Sequence, residues 1–449
     1  MKNYQTDTLI ELKKYFKNIE KKYKGNLNAT SKFYPVSATS SIGLNFLKTF
    51  IPKKKINLRE KLLINLKDIF YSLNYFNYKI IHNTKNYYYD KIIFTWANNN
   101  NFKKNGSIYD PYFNTNSSDL KKTLWFVIFS GTKKPKIIKK NIVLFSPRTK
   151  KSINLFILFK FILKKIPLLF KNKNIFFASI SNHVFFADIL LKNANVFLNN
   201  RVKKIFMPYE GQPFQTTLIS KIKKNYKFAK VIGYIHNPPL ALPSNLIYRK
   251  CCPHKLILNG KDQKYCFTKF LGWKKKNLIY LPSFRFRKNN QKLRNLIFFP
   301  LLIKNKKNVL KNLKYLHFEK IINLRNYKIR VHPTNLNSIK VKKIVSTFYN
   351  SFKNVSETNL ISKNRFLIYI GNSGAAIESI ERGNKVIHIT DDNDLDMYST
   401  ILWPNLKVTK INENIYIYES IKKNQLIHIG SKKSSLKNYY NSNIFEFKI

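Results

Sequence analysis

The chain has 449 residues, 44% of them hydrophobic and 15% aromatic, enough length and apolar content to bury the cores of two globular domains. Lysine and arginine number 83 against 22 acids, a formal charge of +61 that points either to an anionic partner or to an AT-rich coding habit spread over a solvated surface. Cys251, Cys252 and Cys266 are too few and too clustered for a disulfide framework, and "CCPH" at 251–254 has no second ligand pair for zinc.

In chain order, "MKNYQTDTLIELKKYF" reads as a charged amphipathic helix without the apolar core of a signal peptide, so a cytoplasmic protein is expected. After a polar, helical opening to about Lys55, apolar strand-like runs begin. They are "KIIFTW" (91–96), "TLWFVIFS" (123–130), "NIVLFS" (141–146), "NIFFASI" (174–180), "KKIFM" (203–207), "KVIGYIH" (230–236), "HKLILNG" (254–260) and "NLIYLP" (277–282). Helix-length segments separate several of them, which predicts a parallel sheet covered on both faces. Between 152 and 170, "SINLFILFKFILKKIPLLF" is a very apolar helix interrupted by Lys160, Lys164 and Lys165 and bent or ended by Pro167. It reads either as a helix packed on the sheet with its lysines in water or as a basic helix on an anionic membrane surface. No stretch of roughly 18 residues or more is free of charge, so no membrane span is expected. A polar linker, "NNQKLR" (289–294), precedes a second series, "NLIFFPLL", "NYKIRVHP", "RFLIYIGNSG" and "KVIHIT". The reading is an α/β protein of two Rossmann-like domains facing across a cleft: residues 1–290 with a helical extension, and 291–449, whose tail beyond about Asn412 has no assigned place.

Three strand ends carry chemical groups toward that cleft. After "KKIFM" comes "PYEGQP", where Glu210 can take a proton from a hydroxyl or simply cap the next helix, and Gly211 lets a ligand approach the backbone. "YKIRVHPTN" ends a strand at His332, whose direction Pro333 constrains, with Arg330 two residues earlier on the same face. "FLIYIGNSGAAIESIERGNKVIHI" reads as strand, small-residue turn, helix from about Gly374 to Arg382, and strand. Ser373, Gly374 and Ala375 would leave backbone N–H groups uncovered for a phosphate, and Glu378 lies one turn further in. His236 in "GYIHNPP" and Arg285 in "PSFRF" are further cleft candidates, with capping or lining roles as the alternative. The acids of "DDNDLD" (391–396) read as a donor-side loop or a helix cap, and no metal or other cofactor is expected.

Together, Glu-Gly after one strand, His-Pro after another and Gly-x-Ser-Gly-Ala-Ala-x-Glu at a helix start resemble, in that order, the GT-B glycosyltransferases that use CMP-activated sugars, the sialyltransferase and Kdo-transferase-like groups. "FTWANNNNFKKNGSIYDPYFN", "TLWFVIFSG", "YEGQPFQ", "GYIHNPP" and "FLGWKKKNLIYLPSFRF" look like a family of bacterial surface-carbohydrate biosynthesis proteins. The resemblance spans roughly Ile92 to Ile389. It implies Glu210 as general base on the acceptor hydroxyl and His332 at the donor phosphate. Ser373 and Gly374 would hold the same phosphate, with Glu378 on the nucleotide; Arg330 and Ala375 are further candidates for the donor side, and Gly211, His236 and Arg285 for the acceptor or the cleft. One position departs from the pattern: two acids precede the glycine in those groups, and here Tyr209 precedes Glu210.

The expectation is an inverting, nucleotide-sugar-dependent glycosyltransferase building a surface polysaccharide or lipopolysaccharide. Its partners would be the donor, a glycan or lipid-linked acceptor and an anionic surface on the inner membrane face. A teichoic-type polyol-phosphate transferase or a nucleotide-sugar epimerase would use similar parts. A basic nucleic-acid-binding protein is the reading from another class, opposed by the even spread of cations and the lack of a recognised binding motif, so no specific nucleic acid is expected.

Overall fold

A computed structural model describes residues 4–22, 78–84, 87–147, 155–171, 179–288, 295–300, 305–332, 338–353, 366–371, 373–391 and 393–445, with single positions at 47, 63, 66, 69, 70, 176, 303, 335, 336 and 355. The expected linker at 289–294 and Pro333 lie outside the described residues.

The elements run α1 (Tyr4–Lys22), β1 (Tyr78–His82), β2 (Lys91–Ala97), β3 (Tyr109–Asp110), β4 (Thr115–Asn116), β5 (Thr123–Phe129), β6 (Ile142–Pro147), α2 (Leu155–Leu163), α3 (Ile166–Lys171) and α4 (Asn182–Ala194). They continue with β7 (Lys204–Pro208), α5 (Pro213–Asn225), β8 (Lys230–Tyr234), β9 (Lys255–Leu258), α6 (Lys261–Lys269), β10 (Leu278–Tyr280), β11 (Leu296–Phe298), α7 (Lys306–Phe318) and β12 (Lys328–Arg330). The last are α8 (Ile339–Lys353), β13 (Phe366–Ile370), α9 (Ala375–Glu381), β14 (Lys385–Ile389), α10 (Asn393–Asp396), β15 (Leu406–Lys410) and β16 (Ile415–Ser420).

Two large sheets and a small hairpin of β3 and β4 organise these elements, giving a mixed α/β fold. The first sheet has the order β1-β6-β5-β2-β7-β8-β9-β10 and is parallel except for β1. All seven residues of β5 are buried, because a central parallel strand is covered on both faces and reads as one apolar run. The second sheet has the order β12-β11-β13-β14-β16-β15, with β16 and β15 antiparallel to their neighbours. In each sheet the strand order reverses once near the centre, beside β2 and β7 in the first and beside β11 and β13 in the second. A crevice opens at such a reversal beyond the carboxyl ends of the strands, because the flanking connections leave in opposite directions.

The tail that the sequence left unplaced is divided. β16 joins the second sheet between β14 and β15, whereas Leu436, Tyr440 and Phe445 are buried with Ile93, Trp125 and Phe206 of the first. Helix α1 ties distant parts together: Glu20 accepts from the Lys250 backbone N–H at 2.8 Å, and Gln5 donates to the Met397 carbonyl.

One expected strand is corrected. Of 174–180, Phe176 and Ser179 are helical, and the Ile180 N–H donates to the Phe176 carbonyl at 3.1 Å. Phe176 and Ile180 pack with Leu158 and Phe161 of α2, and a short apolar run alone does not distinguish a buried helix from a buried strand.

The helix expected over 152–170 divides into α2 and α3, with Pro167 in the first turn of α3, where its missing N–H costs nothing. Leu158 and Phe161 face inward, yet the outer side is apolar as well: Phe156 is 70% exposed and Phe170 84%. Among the described residues no helix is long and apolar enough to cross a membrane.

Candidate functional site

The turn after β7 sits at the strand-order reversal of the first sheet. Pro213 starts α5, and Gln215 on its first turn folds back over the loop, accepting from the backbone N–H groups of Glu210 at 2.9 Å and Gln212 at 3.1 Å. Its amide donates to the Pro208 carbonyl at 2.5 Å. Gly211 adopts φ +67°, and a Cβ there would stand 2.1 Å from the Asn245 carbonyl oxygen. This corrects the expectation that Gly211 admits a ligand: the space beside it holds the Asn245 backbone, and glycine is needed for conformation and close packing.

The departure at Tyr209 has a structural reason. Its side chain is buried, with the hydroxyl donating to Cys252 Sγ at 3.4 Å, while Glu210 remains 34% exposed. One acid therefore faces the crevice, and the preceding residue belongs to the core.

Glu210 Oε1 lies 3.2 Å from His236 Nε2 and accepts from Asn237 Nδ2 at 3.4 Å, while Oε2 accepts from Gln212 Nε2 at 2.5 Å. His236 and Asn237 follow β8, the strand next to β7, so neighbouring parallel strands deliver the carboxylate and the imidazole together. Burial works to raise the Glu210 carboxyl, but the hydrogen bond with His236 and those from the Gln212 and Asn237 amides outweigh it and hold the group below the usual glutamate value. His236 is 4% exposed, and burial lowers its pKa despite the opposing pull of Glu210, with Arg285 adding to the lowering. At neutral pH the pair is an ionised carboxylate and a neutral imidazole.

Residues that sequence reasoning did not single out complete this wall. Asp110 accepts from the backbone N–H groups of Tyr112 at 2.7 Å and Phe113 at 3.0 Å, fixing a turn that places the Tyr112 ring edge-on to His236 at 4.7 Å. Arg285 lies over the Tyr112 ring at 5.4 Å and donates to Asn237 Oδ1. The visible signal was "DPYFN", an Asp-Pro turn, but nothing in its spacing tied it to "EGQ" a hundred residues on.

Helix α9 of the second sheet lies against the 285–288 segment. Glu378 on α9 pairs with Arg382 one turn later, its Oε1 receiving Nε at 2.9 Å and Nη2 at 2.8 Å. Glu378, Arg382, Arg285, Phe286, Arg287, Lys288 and Lys432 line a cleft of about 240 Å³. Arg285 is thus shared between the Glu210 cluster and this cleft.

Ser373, Gly374 and Ala375 follow β13 at the second reversal, where two of the first N–H groups of the helix already have backbone partners. The N–H groups of Ala376 and Ile377 donate to the Ser373 and Gly374 carbonyls, and the Ser373 carbonyl also accepts from the Tyr398 hydroxyl at 3.2 Å. A Cβ at Gly374 would lie 2.6 Å from the Pro238 carbonyl oxygen, so the backbone of "HNPP" packs closely against this glycine. Small residues here serve close packing between the walls.

Arg330 is exposed and stands over Phe298 at 5.7 Å, and Phe298 stacks on Tyr369 at 4.3 Å. Tyr369 feels the charges of both Arg330 and Glu378, which places Arg330 on the α9 side of the sheet. His332 is exposed just past β12, and its partial burial lowers its pKa, so it is neutral at neutral pH. In "DDNDLD", Asp391 accepts from the Asn305 N–H at 2.9 Å, and Asp396 accepts from the Asp391 N–H at 3.2 Å, as capping acids do. Among the described residues no group of three or more His, Cys, Asp or Glu is placed to hold a metal ion.

No model of a known protein family matches this chain, and no curated protein matches it either.

Proposed function

We propose that the chain is an inverting glycosyltransferase of the GT-B kind, with residues 1–290 on the acceptor side and 291–449 on the donor side, transferring a nucleotide-activated sugar to a surface glycan. The observation that carries the reading is the Glu210 cluster: an ionised, partly exposed carboxylate at a strand-order reversal, held by His236, Gln212 and Asn237 and joined through Arg285 to a cationic cleft. Glu210 takes the proton of the acceptor hydroxyl as the sugar carbon is attacked, and the cations of the cleft and Arg330 offset charge on the departing phosphate. His236 positions Glu210 and keeps it ionised. His332, neutral when unliganded, donates a hydrogen bond to the donor phosphate.

The outer face of α2 and α3 supports a place on an anionic membrane surface in the cytoplasm, beside a lipid-linked acceptor. Exposed Leu155, Phe156, Phe159, Leu163 and Phe170 are interspersed with exposed Lys160 and Lys164, so apolar insertion and headgroup attraction act on one face. Phe156→Asp combined with Phe159→Asp should abolish co-sedimentation with phosphatidylglycerol vesicles while leaving the melting temperature unchanged. Unaltered co-sedimentation would overturn this placement.

The function is tested first by thermal shift with CMP, CDP, UDP and GDP, where stabilisation by one of them is expected; if none stabilises the protein, the reading fails. Product analysis with the stabilising nucleotide's sugar donors then separates transfer from epimerisation, since an epimerase converts donor without acceptor.

A further inference from the structure

The cationic cleft is more than a lining of the Glu210 site. Five of its side chains are cations, Arg285, Arg287, Lys288, Arg382 and Lys432, against the single carboxylate of Glu378. Glu378 is spent on Arg382, at 2.8 Å. The other two arginines are oriented by neutral acceptors: Arg285 by Asn237 Oδ1, and Arg287 by Asn114 Oδ1 at 2.9 Å and the Tyr109 hydroxyl at 3.2 Å. A guanidinium fixed by a neutral partner keeps its full charge and its remaining N–H donors for a ligand.

The backbone also holds the walls in place. Arg382 Nη2 donates to the Arg287 carbonyl at 3.1 Å, tying α9 to the 285–288 segment. The Lys288 N–H donates to the Gly430 carbonyl at 3.0 Å, which brings the turn carrying Lys432 alongside. The repulsion of four cations without an ion pair among the described residues, around about 240 Å³, is tolerated in a folded protein when a polyanion relieves it.

We infer that this cleft binds a pyrophosphate group, two linked phosphates rather than one, with Arg285 and Arg287 making forked contacts and Lys288 and Lys432 closing the outer side. The inference deepens the glycosyltransferase reading by naming the anion, and it rests on that reading only for the group's role in transfer. Two sources carry this chemistry: a nucleoside diphosphate donor and a lipid-linked pyrophosphate acceptor.

Calorimetric titration with inorganic pyrophosphate, at a fixed salt concentration, tests it directly. Lys288→Ala with Lys432→Ala should weaken binding about tenfold or more. Arg287→Gln should weaken it similarly, while Lys342→Ala with Lys343→Ala on α8 should leave it unchanged. Equal weakening by the α8 pair, or no weakening by the cleft variants, would overturn the inference. Competition then assigns the source: displacement of pyrophosphate by UDP, CDP or GDP identifies the donor, and displacement only by a polyprenyl pyrophosphate in micelles identifies the acceptor. Failure of both to compete also overturns it. Intact pyrophosphate binding without any sugar transfer by the wild-type protein would sink the glycosyltransferase reading and spare the cleft.

Discussion

Glu210 after β7 and His332 after β12 both follow parallel strands, yet β7 lies in the middle of its sheet and β12 at the edge of the other. Glu210 has three side chains on its carboxylate and a glutamine clamping its backbone. His332 is exposed beyond a three-residue edge strand whose own burial is partial. A strand end at the centre of a sheet is flanked by neighbours that can supply partners, whereas an edge strand has a neighbour on one side only. Preorganisation is therefore visible at the Glu210 wall, where neighbouring strands supply the partners of the carboxylate.

The sharpest way to break this contrast is by substitution at both positions. Glu210→Gln should lower the transfer rate by about 10²–10⁴-fold with nucleotide affinity unchanged. His332→Gln should act mainly on donor affinity, by about tenfold. Steady-state kinetics with separate KM and kcat values check this, and equal losses of kcat from the two would show that the walls are not different in kind.

The next effect is on stability. Gly211→Val forces a β-branched residue to φ +67° against the Asn245 carbonyl and should cost about 1–3 kcal/mol or more in denaturant unfolding. Ala375→Ser, at an exposed helix start in the second sheet's wall, should stay within about 0.5 kcal/mol.

Acid titration compares the two histidines. His236 has its folded pKa depressed by burial, so the unfolded chain binds its proton first as the pH falls below 6.5, and stability is lost from there downward toward the folded value. Glu210, also depressed, adds a loss of the same sign below its ordinary 4.5. His254 and His388, lowered to about 3 and about 4, steepen the same acid limb. His236→Gln should flatten the slope between pH 6.5 and 5 in urea melts, and His332→Gln should change it less.

The smallest expected effect is at Gln212. Gln212→Ala removes one donor from Glu210 Oε2 and should shift the acid limb of the transfer rate upward, with a loss of a few-fold at neutral pH. An unshifted limb would mean that His236 and Asn237 set the carboxylate without it.

Much of the fold was legible because long apolar runs such as "TLWFVIF" and "FLIYI" are what a strand buried on both faces requires. "NIFFASI" shows where that rule ends, since a helix packed into a small apolar cluster needs the same composition over so few residues. At the site, Glu210, His236, Arg285 and Glu378 were all visible as polar groups at strand ends or helix starts. Gly211 and Gly374 were visible too, but their purpose was not: what lies against a glycine is set by backbone from elsewhere in the chain, here Asn245 and Pro238.

The sequence by itself determined the alternation of strands and helices, the order of the strand ends and the residue types placed on them, because periodicity and turn chemistry act over a few neighbouring residues. Only the tertiary structure decided that Tyr209 enters the core while Glu210 faces outward to His236. It alone gathered Arg285, Arg287, Lys288, Arg382 and Lys432 around one cleft. Those placements depend on which strands become neighbours and on how a tail more than a hundred residues away returns, and no local rule of sequence carries that information.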